Sequence, residues 1–176
     1  MLRILFWTCF AAAMAIYITM LGWSLQVITE AAGGLAPFDM RPSGYTLADA
    51  KAFLSAIDPE TVKYYRNVQL TLDLFFPALF TISLVLGIYF MLPTWFGVWR
   101  WVVAALPLPI AAFDYLENAL ISVMLASGPE KISADLVNAA SRWTVLKSGF
   151  TTISILLLTA LLVWWLVRRI QGQAEE

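Results

Sequence analysis

The sequence contains no histidine and a single cysteine, Cys9. The first absence removes the commonest general base, haem ligand and zinc ligand together, and with them a Ser-His-Asp triad and an intramembrane zinc hydrolase. The second excludes an internal disulfide, a thiolate zinc site and an iron–sulfur cluster, and leaves Cys9 as a small apolar residue. Charge is scarce as well. Asp, Glu, Lys and Arg make up 13 % of the chain, about half the share usual in a soluble domain. Eleven basic residues against 12 acidic ones give a net charge of −1, so the sequence offers no basic block of the kind nucleic acid requires, and no nucleic-acid partner is expected. No internal repeat or low-complexity stretch divides the 176 residues. That length suits one domain, residues 1–176, and is too short for two of ordinary size.

What the chain has instead is apolar length. Hydrophobic residues make up 61 %, and four runs, at about residues 4–28, 68–92, 100–125 and 143–167, reach the roughly 20 residues needed to cross about 30 Å of hydrocarbon. The expected fold is an all-α integral membrane protein: four transmembrane helices in a bundle, with a short extracytoplasmic helical loop between the first and second. The first run follows Arg3 and is longer than the apolar stretch of a signal peptide, so it reads as a retained span. Tryptophans mark the span ends, as interfacial rings do: Trp7 and Trp23, then Trp95, Trp99 and Trp101, then Trp143, Trp164 and Trp165.

An even number of spans puts both termini on one side. That side would carry Arg3, Arg100, Arg168 and Arg169; the other would carry Arg41, Lys51, Lys63, Arg66, Lys131, Arg142 and Lys147. The raw count favours the second set, but most of its members sit beside acids in loops with folding signals. Arg168 and Arg169 abut a span with no acid before Glu175 and Glu176. Both termini are therefore expected in the cytoplasm, the bilayer being the cell inner membrane.

The loop of residues 30–67 is no simple tether. Gly33, Gly34, Pro37, Pro42 and Gly44 make a turn-rich start, and Thr46 with Asp49 resembles a capping box. A helix is expected over about 47–57, its apolar residues Leu47, Ala50, Phe53, Leu54 and Ile57 at helical spacing and in need of a surface to cover. Asp58-Pro59 starts another helix that runs on into the second span. Gly128 and Pro129 stop the third helix, and Ser133 caps a fourth that begins outside the membrane. Within the first loop, Phe38 to Tyr45 has two readings: a tight turn with an Asp39–Arg41 contact, or a lid that sets Arg41 and Tyr45 over a cavity.

Ionisable residues within apolar spans are costly, and they mark a site or a pathway. Four occur here: Asp73, Asp114, Glu117 and Lys147. On the topology above they lie about 8, 16, 12 and 6 Å below the outer boundary, all in the outer half. Asp114, Glu117 and Asn118 share one helical face; so do Arg66, Gln69 and Asp73, and so do Lys147, Thr151 and Ser154. Three polar stripes are most simply explained by one polar cavity opening outward. Lys147 either pairs with Asp73 or Glu117 or snorkels to the interface. Pro77 leaves the Asp73 carbonyl without its helical donor, and Pro107 and Pro109 bend the third span. Phe75, Phe76 and Phe80 read as packing or lipid contact.

The expected function is to bind or process a small amphipathic or lipid-like molecule in that cavity, through Asp73, Asp114, Glu117, Asn118, Lys147, Gln69, Arg66, Arg41 and Tyr45. A carboxylate pair supports acid–base chemistry, and oxygen ligands support a hard cation. The same residues also support proton- or cation-coupled transport by a homo-oligomer, or the packing of an accessory subunit in a larger membrane complex. No cofactor and no metal centre is expected, and no catalytic residue is named by any spacing.

Overall fold

The computed structural model describes residues 1–174; Glu175 and Glu176, the acids that follow Arg168 and Arg169, lie outside the described residues. Five helices carry the fold: α1 (Leu2–Ala31), α2 (Leu47–Ala56), α3 (Pro59–Met91), α4 (Trp99–Ser127) and α5 (Ala134–Gln171). All but α2 are long and apolar enough to cross a membrane. Among the described residues there is no strand.

The long helices outrun the apolar runs because a helix ends where its terminal amides and carbonyls find partners, not where hydrophobicity fades. Helix α3 starts at Pro59, where the Asp58 carboxylate accepts the Thr61 N–H at 2.7 Å. That bond holds the Asp58 carboxyl below the usual carboxylate range. Helix α5 starts at Ala134, with Ser133 Oγ accepting the Leu136 N–H at 3.2 Å. Thr46 and Asp49 form the reciprocal capping pair at the start of α2, and the Thr46 hydroxyl, donating to Asp49 at 2.6 Å, keeps that carboxyl low as well.

Three irregularities shape the long helices. Residues Met20–Ser24 of α1 and Tyr65–Gln69 of α3 each form a π turn, and the two π turns pack against one another. In α4 the helix breaks between Ala104 and Leu108, where Pro107 and Pro109 bring no N–H donors. Pro77 leaves α3 continuous. One residue beyond the carbonyl it deprives, Leu74 accepts the Tyr115 hydroxyl of α4 at 2.9 Å.

Helix α1 lies on α3, α3 packs against α4 and α5, and α4 and α5 make the most extensive pairing. Towards the N-terminal end of α1, Phe6 and Leu158 of α5 meet over Gly87 of α3, each 3.5 Å from the point where a β-carbon would stand. Towards the other end, α1 and α5 part around a cavity.

That end is covered by residues 32–57. Phe38, Tyr45, Phe53 and Leu54 are buried with Tyr65 against Ile121, Met124, Val137 and Ala140 of α4 and α5. The cap therefore has a core of its own, continuous with the tops of the helices. Arg41 lies against that core and makes no ion pair with Asp39. Its Nε and Nη2 donate to the Ala36 carbonyl at 2.9 and 2.8 Å, and its guanidinium lies 5.9–6.0 Å from the rings of Phe38, Tyr45 and Phe53. Three aromatic faces and a carbonyl are a better home for a half-buried guanidinium than one carboxylate two residues away.

Gly44 fixes the cap to α5. Its φ is +85°, and a β-carbon there would come within 2.6 Å of Ser141 Oγ, the atom that accepts the Tyr45 N–H at 2.8 Å. Gly44→Ala is expected to cost about 1–3 kcal/mol through left-handed strain, with further loss as the Ser141 contact opens. Thermal unfolding in detergent measures it; an unchanged midpoint would mean that the cap can shift along α5 without penalty.

Candidate functional site

The cavity between α1, α3, α4, α5 and the cap has a volume of about 650 Å³, within the range of small-molecule sites. Each of its polar walls is supplied by a helix whose spacing brings a second polar group to bear on the first. On α3, Gln69 ends the π turn and is fully buried, and its Nε2 donates to Asp73 Oδ2, one turn on, at 2.8 Å. On α4, Asn118 Nδ2 donates to Asp114 Oδ1, one turn back, at 2.9 Å. Lys147 of α5 places its Nζ 2.5 Å from Glu117 Oε2 and 3.6 Å from Asp114 Oδ2. Thr144, on the preceding turn of α5, donates its hydroxyl to Glu117 Oε1 at 2.6 Å. From the cap comes Asp39, whose Oδ2 accepts the Tyr65 hydroxyl at 2.7 Å.

Three carboxylates, Asp39, Asp73 and Asp114, thus line the cavity beside one ammonium, Lys147. Ser148, Thr151 and Thr152 of α5 add hydroxyls, and the rest of the wall is apolar. Tyr17 stacks on Phe76 and Phe76 on Phe80, with centroids 5.7 and 5.3 Å apart, and Met14, Met20 and Ile155 are among the other apolar residues.

The sequence-derived residues fall into three groups. Asp73, Asp114 and Lys147 line the cavity. Glu117, Gln69 and Asn118 stand beside or behind them and hold them in place: Glu117 is fully buried and contacts Lys147, and the other two donate to the aspartates. Arg66 is exposed, and Arg41 and Tyr45 sit in the cap, away from the lining. Burial raises the Tyr45 hydroxyl above the ordinary tyrosine range, so it stays protonated. The cap residues that do reach the cavity are Asp39, Met40 and Pro42. Lys147 pairs with Glu117 and Asp114, not with Asp73.

Sequence reasoning missed Asp39, Thr144 and the aromatic wall. Thr144 carried a usable signal, three residues before Lys147 on the same face. Asp39 was masked by its neighbour Arg41, which suggested a local pair. Phe76 and Phe80 gave no signal, since a residue facing lipid and one facing an apolar cavity have the same composition.

Chemically, the arrangement can hold a polar group at one end and an apolar body at the other. Among the described residues no three His, Cys, Asp or Glu side chains gather closely enough to hold a metal ion. No protein-family model, no curated protein and no solved structure matches the chain.

Proposed function

We propose that the protein is a four-span membrane protein whose cavity binds a small amphipathic molecule, the polar end at the charged wall formed by Asp39, Asp73, Asp114 and Lys147 and the apolar body along Tyr17, Phe76 and Phe80. The observation that carries this reading is the shared space: buried carboxylates and a stacked aromatic wall line one cavity of about 650 Å³. Buried ionisable groups in apolar helices are expensive and are retained where a ligand or pathway uses them. In this reading the capped end faces outward and both termini lie in the cytoplasm. Arg168 over Trp164 at 4.7 Å and Arg169 over Trp165 at 5.3 Å supply an interfacial anchor at the cytoplasmic end.

The test is native mass spectrometry of protein purified in a mild non-ionic detergent, with analysis of the extracted small molecules. Wild type is expected to carry a stoichiometric adduct that Asp114→Asn loses. Wild-type protein that stays empty across several detergents and added lipid extracts would overturn the reading.

A further inference from the structure

We infer that the polar end of the ligand is a cation, an ammonium group on an apolar chain, seated between Asp39 and Asp73 with the chain running out between α1 and α5. This rests on the cavity being a ligand site. The argument is one of charge balance. Lys147 is already engaged by Glu117 and Asp114, and among the described residues no lysine or arginine pairs with Asp39 or Asp73. Their compensation is a single neutral donor each, the Tyr65 hydroxyl and the Gln69 amide.

Asp73 is the sharper case. It is only 4 % exposed and lines the cavity, its Oδ2 is taken by Gln69, and among the described residues no donor reaches its Oδ1. A buried carboxylate without a cation is costly, and a bound ammonium both neutralises it and supplies the missing hydrogen bond. An anionic head would meet three carboxylates and an ammonium that is already paired. A metal ion is disfavoured because the carboxylates do not converge on one point.

The remaining wall suits what the ammonium would carry. Tyr17, Phe76 and Phe80 offer apolar surface to the methylenes that adjoin the ammonium, and Met14 and Met20 adapt to an irregular chain. Met14 of α1 and Thr152 and Ile155 of α5 line the same space from opposite sides, which makes the gap between these helices the way out for the tail.

Three probes of equal chain length decide the matter: dodecylamine, dodecanol and dodecanoate, each titrated at neutral pH into the full chain in non-ionic detergent, with adducts counted by native mass spectrometry. Dodecylamine is expected to bind wild type at least about tenfold more tightly than either of the others. Asp73→Asn is expected to remove that preference while its dodecanol adduct persists, which shows the cavity intact. If Asp73→Asn does not fold, Asp39→Asn is expected to weaken amine binding with dodecanol binding unchanged. Equal or tighter binding of dodecanol or dodecanoate, or an amine preference that survives both substitutions, overturns the cationic assignment and leaves the cavity as a ligand site. Failure of all three probes to bind wild type overturns the cationic assignment and the underlying reading together.

Discussion

Lys147→Met is expected to destabilise the protein by about 3–5 kcal/mol, the cost of breaking a buried ion pair from one side. The loss is large because of what stays behind. Glu117 is fully buried and Asp114 is 6 % exposed, and without the ammonium they have only the Thr144 hydroxyl and the Asn118 amide. Neither donor carries a charge. Lys147→Met/Glu117→Gln/Asp114→Asn is expected to recover most of the loss, since removing all three charges leaves neither Glu117 nor Asp114 as an unmatched buried carboxylate. Denaturant titration in detergent, following helix content, gives both values. If the single variant were as stable as wild type, Lys147 would not be the counter-ion that holds α4 to α5, and its place in the site would have to be reconsidered.

Phe53→Ala is expected to cost a similar 3–5 kcal/mol and to release the cap selectively. Phe53 has no exposed surface. Its ring lies 4.9 Å from that of Phe38 and 6.2 Å from that of Tyr65, and it shares the Arg41 guanidinium with Phe38 and Tyr45. Removing it opens a cavity at the junction of all these groups, whereas Phe53→Leu, nearer in volume, is expected to cost far less. Limited proteolysis should cut the variant within residues 33–46 before any helix is cut. The site is expected to feel the change through Tyr65, which touches Phe53 and also donates to Asp39. Uniform loss of protease resistance along the chain, with no early cut in the cap, would show that the cap has no separate stability.

The contrast between these two positions also shows what the sequence can and cannot convey. Phe53 was legible: it falls on the apolar face of a helix whose start is announced by Thr46 and Asp49, and helical period plus capping chemistry place it inward. Lys147, Asp114 and Glu117 were legible as a group, since charges in apolar runs stand out and their spacing assigns them to inner faces. Their division of labour was not. Whether a carboxylate lines a cavity or stands behind it depends on the rotation of each helix about its axis, which the break at Pro107 and Pro109 offsets in α4 and a π turn offsets in α1 and in α3. A π turn adds one residue to a turn without any required residue type, so Met20–Ser24 and Tyr65–Gln69 look like ordinary apolar and polar helix in the sequence. Arg41 illustrates a second limit. Its neighbour in the chain offered a full charge, but the folded cap offered three rings and a carbonyl, and those partners come from residues up to a helix away.

Gly87 has a consequence for what the cavity can admit. Because Phe6 and Leu158 both close over it, each 3.5 Å from where a β-carbon would stand, α1 and α5 are brought together at that level. Helix α1 is held chiefly by α3. The gap between α1 and α5 is therefore a wedge, narrow at Gly87 and open towards the cap, where Met14 and Ile155 line the cavity. If the cavity takes ligands as proposed, guests of different girth would be met by a swing of α1 about Phe6, while the contacts among α3, α4 and α5 that align Asp73, Asp114 and Lys147 stay as they are.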